Sequence, residues 1–254
     1  MSRITVIALN TFKENLRDKI LYNLVIFGLL MIGSSVLLER LSLGDRSRLI
    51  LDLGLASINL FGVLIAIFIG IGLVSKEIEK KTLYTIISKP VPRYEFLLGK
   101  YLGLLITLVV NIAIMVTGLL LVLGAMAVQV ELLLFKAVLL IFMELMVITA
   151  VALLFSTFTT STLSAIFTLA IFVIGHLTGD LKALGAKLET VGQAMLTGLY
   201  YVMPNLENFN IKGRVIHQMD VGAEQLALTL TYGLLYTALL LLLACVIFQR
   251  RDFR

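Results

Sequence analysis

The feature that most limits how this chain can fold is a series of apolar runs, each close to the length of a membrane-crossing helix. The six runs are 20–38, 53–74, 101–124, 132–155, 158–177 and 226–248. A helix needs about 20 mostly apolar residues to cross a hydrocarbon core of about 30 Å. Because 59% of the residues are hydrophobic and only 15% are charged, a soluble domain could not bury so much apolar surface. The sequence predicts an all-α, polytopic membrane protein with six transmembrane helices in a single domain, 1–254.

The boundary between the fourth and fifth runs is the least regular part of this pattern. Only a hydroxyl-rich stretch, 156–162, separates them, and it fits either a tight turn or a kink in one bent helix. We predict two spans, because the combined run would be about twice the length that crosses a bilayer. The first run is longer than a signal-peptide core of roughly 7 to 15 residues, and no small-residue cleavage site follows it, so we expect a retained helix.

Basic residues lie in three flanks that six spans would place on one side of the membrane, namely 1–19, 75–100 and 250–254. Basic flanks tend to stay in the cytoplasm because translocating them is unfavourable. We therefore predict that both termini and the loop 75–100 are cytoplasmic and that the loop 179–225 is external. The net charge of +5 is explained better by the anionic headgroups of the lipid bilayer than by nucleic acid.

The segment 1–19 has the pattern of an amphipathic helix lying at the membrane surface. Ile4, Ala8, Phe12 and Leu16 recur every four residues, and charged residues occupy the other faces,. We predict an elbow helix that leads into the first span. The alternative is a lead-in turn whose charges only anchor the topology.

The cytoplasmic loop 75–100 is too elaborate for a simple connector. Its first half can form a short helix in which apolar residues such as Ile78 and Leu83 alternate with charged ones. Pro90 and Pro92 would end that helix before a second one leads into the third span. A soluble partner could dock there; the alternative is a helix lying on lipid headgroups.

Two parts of this loop, Glu77-Ile-Glu-Lys-Lys-Thr-Leu and Ser88-Lys-Pro-Val-Pro-Arg-Tyr-Glu-Phe-Leu-Leu-Gly-Lys100, resemble the segment between spans two and three of ABC-2 type permeases. Further segments resemble the multicopper-enzyme-maturation branch of those permeases, which includes the permease of the nitrous-oxide-reductase maturation transporter. They are 155–164, the Gly175-His176 pair, 203–210 and the closing 249–253.

The resemblance implies the permease subunit of an ATP-driven exporter in the cytoplasmic membrane of a prokaryote. Two permease chains, a homodimer, would assemble with two copies of an ABC ATPase subunit, which would dock on a coupling helix within 77–92. It also implies short helices that dip back toward the membrane in the external loop, where Pro204 and Asn205 are candidate residues. The candidate coupling residues are Glu77, Ile78, Glu79, Lys80, Lys81, Thr82, Leu83, Tyr84, Lys89, Pro90 and Arg93.

The chain contains no G-x-x-x-x-G-K-[ST] sequence and so has no Walker A loop to hold the phosphates of ATP. ATP and Mg²⁺ would therefore be bound by the separate ATPase subunit, and we expect no cofactor on this chain. The permease itself would be non-catalytic. It would couple ATP hydrolysis to substrate translocation or to conformational signalling across the membrane.

Three polar residues inside the apolar runs are candidates for an intramembrane site: Glu144, Asn111 and Asn23. An exposed carboxylate at the position of Glu144 would cost on the order of 2 to 3 kcal/mol, so it should face protein or water, at a dimer interface or in a conduit. Asn23 and Asn111 can bridge helices by hydrogen bonds. The neighbouring Met143 and Met146 suggest Cu(I) as an alternative, although adjacent positions point to different helix faces.

His176 ends the fifth run and His217 lies in the following loop, and no Cys or acidic cluster has metal-ligand spacing with them,. We predict neither a metal site nor catalytic residues, because His176, His217 and Glu144 are scattered along the sequence. An apolar stripe over 188–203 suits a helix that shields the bundle or contacts a periplasmic or extracellular partner protein. The main alternative to a permease is an ATP-independent carrier or a membrane assembly factor.

Overall fold

The computed structural model describes residues 2–39, 46–79, 92–179, 190–217 and 219–250, and these ranges are helical apart from short turns. The helices are α1 (Arg3–Asn15), α2 (Lys19–Glu39), α3 (Arg46–Glu79), α4 (Arg93–Ala125), α5 (Leu132–Ser156), α6 (Ser161–His176), α7 (Thr190–Val202), a 3-10 turn (Leu206–Phe209), α8 (Lys212–Ile216) and α9 (Ala223–Arg250).

Five of these helices, α2, α3, α4, α5 and α9, are long and apolar enough to cross a membrane. The protein is therefore a multi-pass membrane protein, and five of the predicted runs coincide with candidate spans. The remaining run, 158–177, corresponds to α6, which has only 16 residues. At about 1.5 Å per residue α6 rises roughly 24 Å, less than the hydrocarbon thickness of about 30 Å.

Two helices extend well beyond their apolar runs at the end where residues 80–91 connect them. α3 continues to Glu79 and α4 already begins at Arg93, whereas the apolar runs stop at 74 and start at 101. The predicted loop 75–100 is therefore shorter than expected, because hydropathy marks where the lipid lies and not where a helix ends. Residues 80–91 lie outside the described residues.

Helices α3 and α5 form the interior of the bundle, and α2 and α9 lie at its periphery. The most apolar windows of α3 and α5 are 72% and 67% buried, against 28% for α2 and 22% for α9. α5 contacts α3, α4, α6 and α9, and its buried residues lie on all of its faces. A helix that is apolar all round fits such a central place.

Between α5 and α6 the hydroxyl-rich stretch forms a tight turn. α5 ends at Ser156 and α6 begins at Ser161, and Thr157 donates its hydroxyl hydrogen to the carbonyl of Leu154 at 2.6 Å. Ser164 of α6 donates to the carbonyl of Ala152 of α5 at 3.2 Å. These side chains satisfy backbone groups at the end of α5, and two separate helices result.

The amino-terminal helix α1 packs along the first half of α4. A Cβ atom added at Gly103 of α4 would lie 2.6 Å from the carbonyl oxygen of Ala8 and 2.6 Å from the Cβ of Thr11, so the two backbones approach closely. The amide of Asn15 donates to the hydroxyl of Thr107 at 3.1 Å. Lys100, which is 4% exposed, pairs with Glu14 at 3.5 Å.

The buried face of α1 differs from the predicted stripe. The fully buried residues are Ala8, Thr11 and Asn15, whereas Phe12 and Leu16 are only partly buried. The predicted stripe includes neither Thr11 nor Asn15, because it was drawn from apolar residues alone. Here they face a glycine and a hydroxyl on α4.

We expect Gly103→Ala to weaken the packing of α1 on α4, because backbone atoms of α1 stand where the new methyl group would lie. The expected loss is about 1 to 3 kcal/mol of unfolding free energy, measured by thermal unfolding in detergent with helical circular dichroism. Gly33→Ala in α2 is the matched control, since nothing lies within 4 Å of its added Cβ. It should be neutral or stabilising by roughly 0.5 to 1 kcal/mol; an equal loss in both variants would contradict the close approach.

Candidate functional site

Three helices bring a polar side chain each to the centre of the bundle. Glu144 of α5 is 0% exposed, and its Oε2 accepts a hydrogen bond from the amide Nδ2 of Asn59 on α3 at 3.1 Å. Its other oxygen, Oε1, lies 3.4 Å from Nε2 of His176 at the end of α6. His176 and Glu144 are far apart in the sequence, and the sequence analysis did not expect them to meet. They lie close together because α5 and α6 pack as antiparallel neighbours.

The orientation of the His176 ring is determined by its own helix. Nδ1 lies 3.1 Å from the carbonyl oxygen of Phe172, one turn earlier, and the ring packs against that of Phe172 with centroids 4.6 Å apart. With Nδ1 directed to the backbone, Nε2 is directed to Glu144. The ring therefore links the end of α6 to the buried carboxyl group.

The cluster also has unused hydrogen-bonding capacity. Within the part of the chain that the structure describes, Oε1 of Glu144 and Oδ1 of Asn59 have no hydrogen-bond partner. Asn59 is only 3% exposed. An unsatisfied buried polar atom costs about 1 to 3 kcal/mol, and such atoms mark sites that are kept for another reason than stability.

The short segment 203–217, which we call the cap, covers this cluster from the end of the bundle opposite residues 80–91. Leu206 and Phe209 of the cap are buried. A Cβ atom at Gly175 would lie 2.7 Å from Leu206 and 2.8 Å from the carbonyl oxygen of Pro204, so the cap rests directly on the end of α6.

Pro204 and Asn205, the candidates from the external loop, connect the cap to two helices. Pro204 is buried. The side-chain oxygen of Asn205 accepts from the hydroxyl of Thr178 at 3.0 Å, and its backbone N–H donates to the hydroxyl of Tyr232 on α9 at 2.8 Å. Pro204 therefore lies inside the protein, and the partly buried Asn205 fixes the position of the cap.

Lys212 of the cap interacts electrostatically with the carboxylates of Glu144, Glu207 and Asp52. Farther along, Lys136 of α5 donates to Asp220 at 3.3 Å, and this hydrogen bond lowers the pKa of the Asp220 carboxyl group. Lys136 and Asp220 thus form a charge pair at this end of the bundle.

The comparison with protein families decides what kind of membrane protein carries this cluster. Residues 5–253 match the model of the ABC-2 family transporter protein. This chain belongs to the ABC-2 transporter family. It is therefore a permease of the ABC transporter type, a class that generally forms the non-catalytic membrane component beside an ABC ATPase subunit. No curated protein gives a significant match to the chain, and the multicopper-maturation branch stays a prediction.

The coupling surface predicted for the permease lies mostly outside the described residues. Glu77, Ile78 and Glu79 form the last turn of α3, and Lys80, Lys81, Thr82, Leu83, Tyr84, Lys89 and Pro90 fall within 80–91. Arg93 begins α4, and its Nη1 donates to the carbonyl oxygens of Phe248 and Gln249 at 3.0 and 3.1 Å. The described part of the surface is thus anchored to the end of α9.

The two asparagines proposed for the intramembrane site lie elsewhere in the permease. Asn111 is 2% exposed, but its amide donates to the carbonyl of Thr107 in the same helix at 2.7 Å, so this bond does not bridge helices. Asn23 is exposed on α2. Asn59 was not predicted, although it is a polar residue inside the apolar run 53–74, as Asn23 and Asn111 are in theirs. Lys212 was not predicted because nothing in the loop sequence indicates that the cap packs on the bundle.

We expect Asn59→Leu to destabilise the permease by about 1 to 3 kcal/mol, because it removes a hydrogen-bond donor from a buried carboxyl group. The measurement is thermal unfolding in detergent. Asn23→Leu makes the same change on an exposed face of α2 and should alter stability by less than about 0.5 kcal/mol. A larger loss for Asn23→Leu than for Asn59→Leu would show that Glu144 does not depend on Asn59.

Proposed function

We propose that this permease is the transmembrane subunit of an ATP-driven exporter built from two copies of this chain and two copies of an ABC ATPase subunit. The ATPase docks at 77–92, and nucleotide binding there shifts the permease between inward-open and outward-open populations. The absence of a Walker A sequence in the chain agrees with ATP and Mg²⁺ being held by the ATPase. The family match supports an ATPase partner.

The coupling proposal rests on one observation: the first turns of α4 are attached to the end of α9 and to α1. Arg93 binds the last carbonyl groups of α9, and the rings of Phe96 and Phe248 stack with centroids 6.2 Å apart. α1 packs on the next two turns through Gly99 and Gly103. A partner that displaces residues 80–91 therefore moves α4, α1 and the end of α9 together.

The proposed topology places six crossings in the membrane, with both termini in the cytoplasm of a prokaryote and α1 as the elbow helix. α3 and α4 have 34 and 33 residues, or about 50 Å each, and their polar extensions lie on either side of 80–91. α6 together with the cap makes the sixth crossing. The basic residues near α1, near 80–91 and after α9 support this orientation.

We expect an ABC ATPase subunit to co-purify with the wild-type permease from native membranes in mild detergent. The variant Glu77→Ala, Glu79→Ala, Leu83→Ala should lose the subunit, because it removes charged and apolar groups from the proposed docking helix. Glu224→Ala, at the opposite end of the bundle, is the control and should retain it. If no ATPase associates with the wild type under any gentle condition, the chain is an ATP-independent carrier or a membrane assembly factor.

We expect Arg93→Ala to retain the ATPase subunit but to uncouple it, because the substitution removes two charge-assisted hydrogen bonds between α4 and α9. The ATP turnover of the complex should approach that of the isolated ATPase, and the permease should lose about 1 to 3 kcal/mol of stability. Arg250→Ala is the matched control, since Arg250 is exposed at the end of α9. Equal turnover in the wild type and in both variants would contradict the transmission through Arg93.

A further inference from the structure

The protonation of His176 follows from its hydrogen-bond geometry. Nδ1 faces the carbonyl oxygen of Phe172 at 3.1 Å, and a carbonyl oxygen can only accept, so Nδ1 carries a hydrogen. In a neutral imidazole the other nitrogen then has a lone pair and no hydrogen. Nε2 of a neutral His176 is therefore an acceptor that faces Glu144.

An ionised Glu144 would place a second acceptor against that lone pair. Its Oε1 lies 3.4 Å from Nε2 and has no hydrogen-bond partner among the described residues, while Oε2 is already bonded to Asn59. Two buried acceptors without a hydrogen between them are unfavourable. A proton on either Oε1 or Nε2 removes the conflict, because one group then donates to the other.

We propose that Glu144 and His176 together bind one exchangeable proton inside the permease, with Asn59 holding the carboxyl group in place. Binding transfers a proton from water to the pair, which becomes a carboxylic acid beside a neutral imidazole or a carboxylate beside an imidazolium. Release returns that proton to water. No other bond is made or broken.

Protons reach the pair through His176. The side chain of His176 is 22% exposed, whereas that of Glu144 is 0% exposed, so the imidazole is the only member of the pair in contact with the surroundings. His176 directly follows Gly175, on which the cap rests. The ring therefore lies beside the cap, and we place proton exchange at that end of the bundle.

The titratable groups of each neighbouring element define the field around the pair. Lys212 of α8 and Glu207 of the 3-10 turn are the charged groups of the cap that interact electrostatically with Glu144. Asp52 of α3 acts on Lys212. Tyr101 of α4 donates its hydroxyl hydrogen to the carbonyl of Met146, and the hydroxyl of Tyr232 on α9 accepts from Asn205.

The test uses nitrogen NMR of the full chain in lipid nanodiscs with ¹⁵N-labelled histidine. The chain has two histidines, so His217→Asn leaves His176 as the single signal. We expect Nδ1 to be protonated throughout and Nε2 to show a shared or bound proton near neutral pH. In the added variant Glu144→Gln, Nε2 should instead show a free lone pair over the same pH range, because the carboxyl group that shares the proton is gone.

Glu207→Gln is the matched control, since it removes a nearby carboxylate of the cap whose oxygens accept from Asn210, and Nε2 should keep its proton. Nδ1 without a hydrogen, or an Nε2 signal that is the same in the wild type and in Glu144→Gln, would overturn the proposal. Loss of the Nε2 proton in Glu207→Gln would also overturn the proposal, because the proton would then depend on a neighbouring carboxylate and not on the Glu144–His176 pair.

A second experiment asks whether the proton affects transport, and this step rests on the proposed function. The permease–ATPase complex in liposomes should show an ATP turnover that depends on the pH at the cap side, and Glu144→Gln should abolish that dependence. Because the NMR experiment needs no ATPase, failure of the complex to assemble would reject the proposed function and leave the proton site standing. A pH dependence that persists in Glu144→Gln would overturn the link between the site and transport.

Discussion

A carboxyl group at the centre of an apolar helical bundle must find its hydrogen-bond donors inside the protein, because hydrocarbon offers none. Glu144 meets part of this requirement through Asn59 of α3, which donates to Oε2, and its Oε1 lies 3.4 Å from Nε2 of His176 on α6. Each contact depends on the rotation of a helix about its axis, since a turn of one residue would replace the polar side chain with an apolar neighbour. Packing between leucine and isoleucine side chains is compatible with many rotations of neighbouring helices. The polar cluster forms at only one set of rotations of α3, α5 and α6.

The end of α6 at His176 lies beside the same cluster, and Leu206 and Phe209 of the cap are buried. Under the proposed topology the cap lies at membrane depth, where irregular backbone is tolerated only if protein covers it and its polar groups are bonded. The cap meets this condition through Asn205, whose N–H donates to Tyr232 and whose side chain accepts from Thr178. A buried polar centre and a non-helical cap are therefore two parts of one arrangement.

Hydropathy predicts where the chain meets lipid, and it did so well for α5, whose predicted run 132–155 differs from the helix Leu132–Ser156 by one residue. It did not predict that α6 has only 16 residues, because the apolar run 158–177 extends past both ends of the helix and hydropathy does not mark helix ends. The free-energy cost of placing a carboxylate in lipid identified Glu144 as one member of the site. Its neighbours Asn59 and His176 could not be identified, because a single apolar run does not specify how each helix is rotated about its axis. Helix rotation also explains why the buried face of α1 was not predicted, since Thr11 and Asn15 are buried against α4.

Helices α4 and α5 pack against each other and connect the two ends of the permease. Tyr101, close to the region of α4 that holds α1 and α9, donates its hydroxyl hydrogen to the carbonyl of Met146 at 3.1 Å. Met146 lies two residues from Glu144 on the most enclosed part of α5, where a close-packed interior transmits displacement instead of absorbing it. Under the proposed function, a movement of α4 that begins at the ATPase therefore reaches the backbone beside the buried carboxyl group before it reaches the cap. Because Glu144 accepts a hydrogen bond from α3 and lies 3.4 Å from His176 of α6, a small shift of α5 changes the distance from Oε1 to His176. If the pair binds a proton as proposed, proton occupancy and helix position are linked in both directions.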